Sequence, residues 1–186
     1  AEYSAIAVAQ MRTYKIPASI TLAQGILESG SGNSFLARSS KNHFGIKCGS
    51  QWNGKTSFHD DDEKNECFRA YSDVTDSYLD HSKFLTKNRR YAFLFELDPN
   101  DYKAWAKGLS KAGYATNPHY AQKLIQLIEE EDLYTYDRNK GSKAKTDASL
   151  AFQPNKYTSI NKSSVHHVKK GETFYSISIR TGLTLR

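Results

Sequence analysis

One carboxylate in the chain stands at a position that suits acid chemistry. Glu28 closes a strongly apolar helical segment, Ile26-Leu27-Glu28-Ser29-Gly30. Apolar neighbours penalise the carboxylate anion, and the negative end of the helix dipole does the same, so both predict a raised pKa. A carboxylic acid that stays protonated near neutral pH is what a general acid needs. Taken alone, the position also fits a surface glutamate that ends an amphipathic helix.

A second group of carboxylates lies in a short polar stretch and consists of Asp60, Asp61, Asp62 and Glu63, with Glu66 close behind. Acidic residues in a turn commonly face solvent and have no further role. A protonated acid on a helix that faces an ionised carboxylate on a second element is, however, the arrangement that cleaves glycosidic bonds. The acid protonates the leaving oxygen, while the carboxylate activates water or stabilises the oxocarbenium-like transition state. Together the two groups predict a glycosidase.

Helices and one hairpin must position these carboxylates. Apolar residues recur at helical spacing in five segments, which begin at residue 3, at Ile16-Pro17, at residue 73 with Ser72 as N-cap, at Asp98-Pro99 and at Asn117-Pro118. Residues 33–55 are irregular, and residues 56–59 and 66–71 form a predicted β-hairpin around the acidic stretch. The pattern predicts a mainly helical α+β fold.

The composition changes after residue 137. Residues 138–165 hold five lysines and few large apolar groups, which is typical of a linker. Residues 166–186 regain apolar alternation. We therefore predict a domain over 1–137, a basic linker over 138–165 and a short segment over 166–186.

The positive charge of the chain is unevenly distributed. Its 186 residues carry a net charge of +6, which by itself raises the question of a nucleic-acid partner. Residues 1–137 hold 16 Lys/Arg and 18 Asp/Glu, a net charge of −2, whereas residues 138–186 hold 10 and 2, a net charge of +8. No predicted helix has a basic face. The distribution favours a tether to an anionic polymer and argues against nucleic acid as a partner.

Few residues suit metal or redox chemistry. Cys48 and Cys67 flank a predicted strand, and either one disulfide in an oxidising compartment or two buried thiols fits this spacing. The six histidines lack the spacing of metal ligands, so we expect no metal and no cofactor.

No apolar run approaches the ~20 residues of a membrane span, so no membrane span is expected. Any secretory signal is expected to have been removed already.

The residues around Glu28 carry a resemblance to a known family. The segment from Pro17 to Gly32, with Ala23-Gln24-Gly25-Ile26-Leu27-Glu28 at its centre, resembles the signature helix of glycoside hydrolase family 73. These are bacterial endo-β-N-acetylglucosaminidases of flagellar and autolysin type that cut peptidoglycan. Four further motifs match in order, namely Asn42-His43-Phe44-Gly45-Ile46-Lys47, Trp52-Asn53-Gly54-Lys55, Phe68-Arg69-Ala70-Tyr71, and Gly113-Tyr114-Ala115-Thr116 with Tyr120-Ala121. Together they cover about residues 3–134 and are far more specific than any one motif.

The resemblance implies a lysozyme-like α+β fold with a small β-lobe beside a cleft. It implies that Glu28 is the general acid and that the Tyr114 hydroxyl orients the N-acetyl group or stabilises developing charge. Asn42, Phe44, Trp52 and Tyr120 are the predicted substrate-binding residues. Phe44 either lines the cleft or packs the core, and Trp52 is either a platform for a sugar ring or a packing residue of the lobe.

The second carboxylate departs from the family's pattern. Many members carry it as a glutamate in a Thr-x-Glu-Tyr context, whereas this chain has His59-Asp60-Asp61-Asp62-Glu63 on a shorter hairpin. We favour Asp60 or Asp61, which lie near the strand end, and Asp62, Glu63 and Glu66 stay open. Residues 166–177 resemble the start of a lysin motif, a module that binds glycans containing N-acetylglucosamine and has about twice the length of 166–186.

The sequence thus predicts a peptidoglycan hydrolase that cleaves the β-1,4 bond after N-acetylglucosamine. Glu28 would act with a β-lobe carboxylate or with the acetamido group of the substrate, so inverting, retaining and substrate-assisted routes stay open. A lytic transglycosylase on the same fold and a non-catalytic cell-wall glycan-binding protein are the alternatives. We expect a monomer that is secreted, periplasmic or associated with the cell wall.

Overall fold

The structure is a computed structural model that describes residues 2–61 and 63–138. The predicted linker over 138–165, apart from Arg138, and the predicted lysin-motif segment over 166–186 lie outside the described residues, as does Asp62. The predicted division into three parts therefore stays a prediction.

Helices dominate the described part of the chain, with a single small sheet. Its elements, in chain order, are α1 (Ser4–Tyr14), α2 (Ala18–Glu28), α3 (Phe35–Ser40), β1 (Thr56–His59), β2 (Glu66–Arg69), α4 (Val74–Lys87), a 3₁₀ helix (Arg89–Glu96), α5 (Tyr102–Lys111), α6 (Tyr120–Glu130) and a second 3₁₀ helix (Leu133–Tyr136). The sheet is the antiparallel pair β1–β2. The predicted mainly helical α+β class is confirmed.

Helix α2 lies at the centre of the fold. Every residue from Ala18 to Gly25 is buried, including Ser19, Thr21 and Gln24. The helix packs against α1, α5, α6 and the second 3₁₀ helix. A helix that is buried all round is part of the core, so it holds the residue at its C-terminus, Glu28, on a rigid element.

The N-terminus of α2 takes its cap from the far end of the described chain. Pro17 precedes the helix and supplies no side-chain cap. Instead the Ser19 N–H and Oγ–H donate to the two carboxylate oxygens of Asp137, at 2.8 and 2.5 Å. A carboxylate is favourable there because it accepts from otherwise unpaired N–H groups and faces the positive end of the helix dipole. Residue 137 therefore belongs to the packed body.

A close approach between α2 and α4 depends on Gly25. A Cβ atom at this position would lie 2.8 Å from the Tyr78 Oη and 3.6 Å from the Phe44 ring. The absence of a side chain lets the buried Tyr78 ring of α4 pack directly against α2. Because residues three apart share a helix face, the same contact brings His81 against α2.

The β-lobe is tied together by its hairpin and by one covalent link. Thr56 pairs with Arg69 at one end of the hairpin and His59 with Glu66 at the other, which confirms the predicted hairpin. The buried Phe68 of β2 anchors the hairpin and pairs with Lys47 in an isolated bridge. Cys48 and Cys67 form a disulfide, so the disulfide is the alternative that the structure supports.

We expect reduction of the Cys48–Cys67 disulfide to destabilise the domain. The link closes a loop with a sequence separation of 19, and a cross-link of that size restricts the unfolded chain by roughly 3 kcal/mol. Urea unfolding with and without dithiothreitol measures the loss. The variant Cys48→Ala/Cys67→Ala is the control, because reductant should leave its unfolding midpoint unchanged. An equal midpoint for the unsubstituted chain in both buffers would contradict the prediction.

The structure differs from the sequence prediction at four helix starts. Helix α5 begins at Tyr102 rather than at Asp98-Pro99, because Asp101 caps it by accepting from the Ala104 N–H. Helix α3 lies inside the predicted irregular segment, where Ser34 caps it by accepting from the Ala37 N–H. Asp73, rather than Ser72, caps α4 by accepting from the Thr75 N–H at 2.7 Å. Helix α6 begins at Tyr120, because Asn117 forms a turn ahead of it. Short polar segments offer several capping groups, and tertiary packing selects among them.

Candidate active site

Glu28 is held from a second helix by a hydrogen bond. It is the last residue of α2 and half-buried, and Tyr120 is the first residue of α6 and buried. The Tyr120 hydroxyl donates to the Glu28 Oε1 at 2.8 Å and accepts from the Gln24 Nε2 at 2.9 Å. Among the described residues, the other carboxylate oxygen of Glu28, Oε2, has no hydrogen-bond partner. One oxygen is fixed by protein, and the other is left for a ligand.

The electrostatics of this position favour the protonated acid. Burial raises the pKa of Glu28, the hydrogen bond from Tyr120 lowers it, and the negative charge of Asp61 raises it further. The net direction is upward, as the position at the end of an apolar helix predicts. Because the anion is poorly solvated here, Glu28 can hold a proton at a pH where an exposed glutamate has lost it.

An aromatic group flanks the carboxylate. Tyr114 lies in the turn between α5 and α6, and its ring stacks on that of Tyr120 with centroids 5.7 Å apart and an interplanar angle of 17°. Burial, and then the charge of Glu28, raise the pKa of Tyr114 well above its usual value. The Tyr114 hydroxyl therefore stays protonated and can donate a hydrogen bond.

The two favoured carboxylates of the hairpin make different contacts. The Asp60 carboxylate accepts from the backbone N–H of Asn65 at 2.8 Å and so closes the hairpin turn. The Asp61 side chain is about half-exposed, with its Oδ2 3.7 Å from the Lys47 Nζ. Of the two, Asp61 is the one whose charge acts on Glu28. Of the others, Glu66 pairs with Lys47 at 2.7 Å, and Asp62 lies outside the described residues.

A comparison with protein families identifies the domain that carries this site. The profile of the glucosaminidase family, described as mannosyl-glycoprotein endo-β-N-acetylglucosaminidase, matches residues 4–133. The chain belongs to this family. The match confirms the resemblance to glycoside hydrolase family 73 that the five motifs carry. It also identifies the domain as one of an enzyme family, the glycoside hydrolases.

Sequence comparison with individual members of the glucosaminidase family supports the same family assignment. The chain is 34% identical over 149 residues to the exo-glucosaminidase LytG of Bacillus subtilis, covering 75% of this chain and 53% of LytG. It is 36% identical over 123 residues to the peptidoglycan hydrolase FlgJ of Vibrio parahaemolyticus, covering 60% of this chain and 40% of FlgJ. The chain thus spans about half or less of the length of these relatives.

The fold also matches a solved structure. The crystal structure of a peptidoglycan hydrolase from Sphingomonas sp. A1 superposes with a TM-score of 0.63 at 32% identity, covering 72% of this chain and 88% of that one. The lysozyme-like α+β architecture with a small β-lobe is thereby confirmed.

Besides the buried Tyr120, two further predicted substrate-binding residues of this glucosaminidase domain lie in its interior. Asn42 is 1% exposed, and its Nδ2 donates to the carbonyl oxygens of Ile46 and Arg69 at 3.0 and 2.9 Å. Its Oδ1 accepts from the Ile46 N–H, so the side chain joins the 42–46 loop to β2. Phe44 is buried and stacks on His81 with centroids 4.0 Å apart. The contacts of both residues are internal, and their role toward substrate stays a prediction.

Trp52 lies at the edge of the β-lobe and is partly exposed. Its Nε1 donates to the Lys55 carbonyl, and the Arg69 guanidinium lies 4.7 Å from the ring centroid. Gly54 packs so closely that a Cβ there would lie 2.3 Å from the indole ring. Trp52 also lines an open cavity of about 330 Å³ with Tyr71 and Asp80, and Glu28 is not among the residues of that cavity. Its contacts pack the lobe and leave part of the ring accessible.

Sequence reasoning missed two buried residues behind Glu28. Gln24 lies one helical turn before Glu28 and donates to Tyr120, while its Oε1 lies 3.1 Å from the His81 Nε2. Burial lowers the pKa of His81 to about 3, so this histidine is neutral. The signal for Gln24 is a long polar side chain in a helix that is otherwise apolar or small. His81 gives no such signal because α4 carries many polar residues.

The described residues show no candidate metal centre. Within 2–61 and 63–138, no group of three or more His, Cys, Asp or Glu side chains is arranged to hold an ion. In the same part of the chain, no helix has both the length and the apolar character needed to cross a membrane.

Proposed function

We propose that this chain is an endo-β-N-acetylglucosaminidase that hydrolyses the β-1,4 bond after N-acetylglucosamine in peptidoglycan. The observation that carries the proposal is the half-buried Glu28, whose raised pKa and single free oxygen suit a general acid. The family description and the names of relatives such as FlgJ support the substrate class. The acidic hairpin, from which the charge of Asp61 acts on Glu28, supports hydrolysis of a glycosidic bond in particular.

Glu28 performs the first chemical step. Its proton passes from Oε2 to the glycosidic oxygen as the bond between that oxygen and C1 breaks, and the leaving sugar departs with a new hydroxyl group. Positive charge develops at C1 and the ring oxygen. Asp61 stabilises this charge and takes a proton from the water that attacks C1, so that one water is consumed for each bond cleaved.

A substrate-assisted route replaces direct attack of water by an intramolecular nucleophile. The carbonyl oxygen of the substrate's acetamido group attacks C1 as the glycosidic bond breaks. Water then attacks C1 of the resulting oxazolinium ion and gives its proton to the ionised Glu28, which regenerates the acid. The charge of Asp61 stabilises that cation. In both routes Tyr114 donates from its protonated hydroxyl to the acetamido group or to developing negative charge, supported by its stacking on Tyr120.

The remaining predicted site residues support the lobe and the acid. Tyr120 orients Glu28, as its 2.8 Å hydrogen bond supports. Asn42 and Phe44 hold the loop that joins the lobe to the helical body. Trp52 offers the accessible part of its ring to a sugar, together with Phe35 and Phe58, which are each 56% exposed.

Product analysis of purified peptidoglycan tests the reaction. After digestion, reduction and mass spectrometry, we expect N-acetylglucosaminitol at the new chain ends and internal cleavage of the glycan. N-acetylmuraminitol ends would contradict the bond assignment, and anhydro sugars would indicate a lytic transglycosylase. Release of single N-acetylglucosamine residues would indicate the exo mode for which LytG is named. Binding without any product would indicate a glycan-binding protein.

The site of action is proposed to be the cell wall. A disulfide persists in oxidising compartments, which supports a secreted, periplasmic or wall-associated protein. The net charge of +8 over 138–186 supports retention on an anionic wall polymer. The monomeric state and the absence of a nucleic-acid partner stay predictions from the sequence.

A further inference from the structure

Four side chains from three helices form a continuous line from the core to the candidate acid. The His81 Nε2 lies 3.1 Å from the Gln24 Oε1, the Gln24 Nε2 lies 2.9 Å from the Tyr120 Oη, and the Tyr120 Oη lies 2.8 Å from the Glu28 Oε1. His81 and Gln24 are fully buried, and Tyr120 is nearly so. We call these residues the Glu28 relay.

Each hydrogen bond of the relay is donated in the direction from His81 toward Glu28. An amide has donors at one end and an acceptor at the other, so Gln24 donates to Tyr120 only if its oxygen faces His81. The His81 Nε2 must then carry the proton and donate to that oxygen. The Tyr120 hydroxyl, having accepted from Gln24, is free to donate to Glu28.

The opposite order of donors and acceptors is unfavourable at the His81 end of the relay. It would place the proton of His81 on Nδ1, and that atom is buried without a hydrogen-bond partner among the described residues. A buried N–H without an acceptor is costly and rare in folded proteins. Reversal would also require the Glu28 proton on Oε1, because Tyr120 would then accept instead of donating. The surroundings of His81 therefore select the direction that ends in donation to Glu28.

We propose that His81 and Gln24 are positioning residues that hold Tyr120 as a donor to the Glu28 Oε1 and so keep the transferable proton of Glu28 on Oε2. The proposal rests on the proposed role of Glu28 as general acid. It assigns the oxygen that delivers the proton and explains why a helix core otherwise made of apolar and small residues contains a buried glutamine.

The sign of the expected pH effect follows from the groups that face Glu28. These are Tyr120 from α6, Tyr114 from the turn before it and Asp61 from the hairpin. Tyr120 lowers the pKa of Glu28, so losing its fixed donation lets that pKa rise. A general acid must be protonated, so activity falls as the pH rises through its pKa. Breaking the relay therefore moves the basic limb of the pH–rate profile to higher pH.

The decisive variants are His81→Phe and Gln24→Met in the full chain. Phenylalanine keeps a ring stacked on Phe44, and methionine keeps the length of Gln24 without its amide. In each we expect the basic limb of kcat on isolated peptidoglycan to move up by about half a pH unit. We expect kcat on the plateau below that limb to fall about tenfold with KM unchanged, because the proton of Glu28 is no longer confined to Oε2. In His81→Gln, whose amide can donate to Gln24, the basic limb of kcat should lie at its wild-type pH.

Matched controls separate this role from general destabilisation. Thr21→Val lies on α2, and Ser82→Ala lies on α4; both positions are fully buried and neither belongs to the relay. Both should keep the wild-type pH profile even if their thermal stability falls. Introduced into Tyr120→Phe, His81→Phe should cause no further shift, because the effect passes through the Tyr120 hydroxyl.

The protein without substitutions provides an independent test. Long-range ¹H–¹⁵N correlation NMR should show His81 protonated at Nε2 and bare at Nδ1, and the opposite tautomer would overturn the proposal. An unmoved limb in folded His81→Phe and Gln24→Met would also overturn it, provided that Glu28→Gln is inactive. Activity in Glu28→Gln would instead refute the proposed function.

Discussion

Replacing Glu28 by glutamine should reduce cleavage of purified peptidoglycan by about 10³-fold or more in kcat, because no other described group contacts the position of the transferable proton. Glutamine has nearly the same shape, and its amide oxygen can accept the Tyr120 hydrogen bond. The fold should therefore be retained, with substrate binding close to that of the wild type. Release of soluble reducing ends over time measures the loss.

The stability of Glu28→Gln has a definite sign. The pKa of Glu28 is raised in the folded chain, so ionisation of this group costs the folded state stability above the unfolded pKa. An uncharged glutamine avoids that cost. The urea midpoint at neutral pH should therefore equal or exceed that of the wild type, which excludes unfolding as the cause of inactivity.

Glu130→Gln is the matched control for this substitution. Glu130 is also the last residue of a helix, α6, but it is exposed, and its carboxylate accepts a hydrogen bond from the Gln126 side chain. Its substitution should leave the rate unchanged. Near-wild-type cleavage by Glu28→Gln would contradict the assignment of the acid and the function proposed from it.

Replacing Asp61 by asparagine should lower kcat by about 10²-fold, whereas Asp60→Asn should leave it near the wild-type value. Asp61 is the hairpin carboxylate whose charge reaches Glu28. The Asp60 carboxylate accepts a backbone hydrogen bond from Asn65, and asparagine can accept the same bond. The two adjacent substitutions are chemically identical, so each is the control for the other.

The Asp61 variant should also show a characteristic pH profile. The charge of Asp61 raises the pKa of Glu28, so its removal lets that pKa fall. The basic limb of kcat should then move to lower pH, opposite to the shift expected for relay variants. An equal loss in Asp60→Asn would contradict this assignment. An unchanged rate in Asp61→Asn would leave the acetamido group as the nucleophile.

Much of the fold was predictable because its signals are local. The apolar period of the helices, the hairpin around the acidic stretch and the position of Glu28 at a helix end are all patterns within about fifteen residues of sequence. Helix α3 was missed because its six residues are shorter than two helical turns and carry no apolar period. The state of Cys48 and Cys67 stayed open because spacing alone does not fix whether two sulfur atoms meet.

The family and the fold class follow from the sequence alone, and Glu28 is predicted as the acid, since motif order and helical position are properties of the chain. What surrounds Glu28 depends on the tertiary structure. Gln24 and Tyr120 are separated by 96 residues, and His81 and Gln24 by 57. Their contacts exist because most of α2 is buried, α6 packs against it, and the side chains of Tyr78 and His81 reach it from α4. Long-range packing, rather than any local pattern, places the hydrogen-bond relay behind Glu28. It also brings Asp61 close enough for its charge to raise the pKa of Glu28.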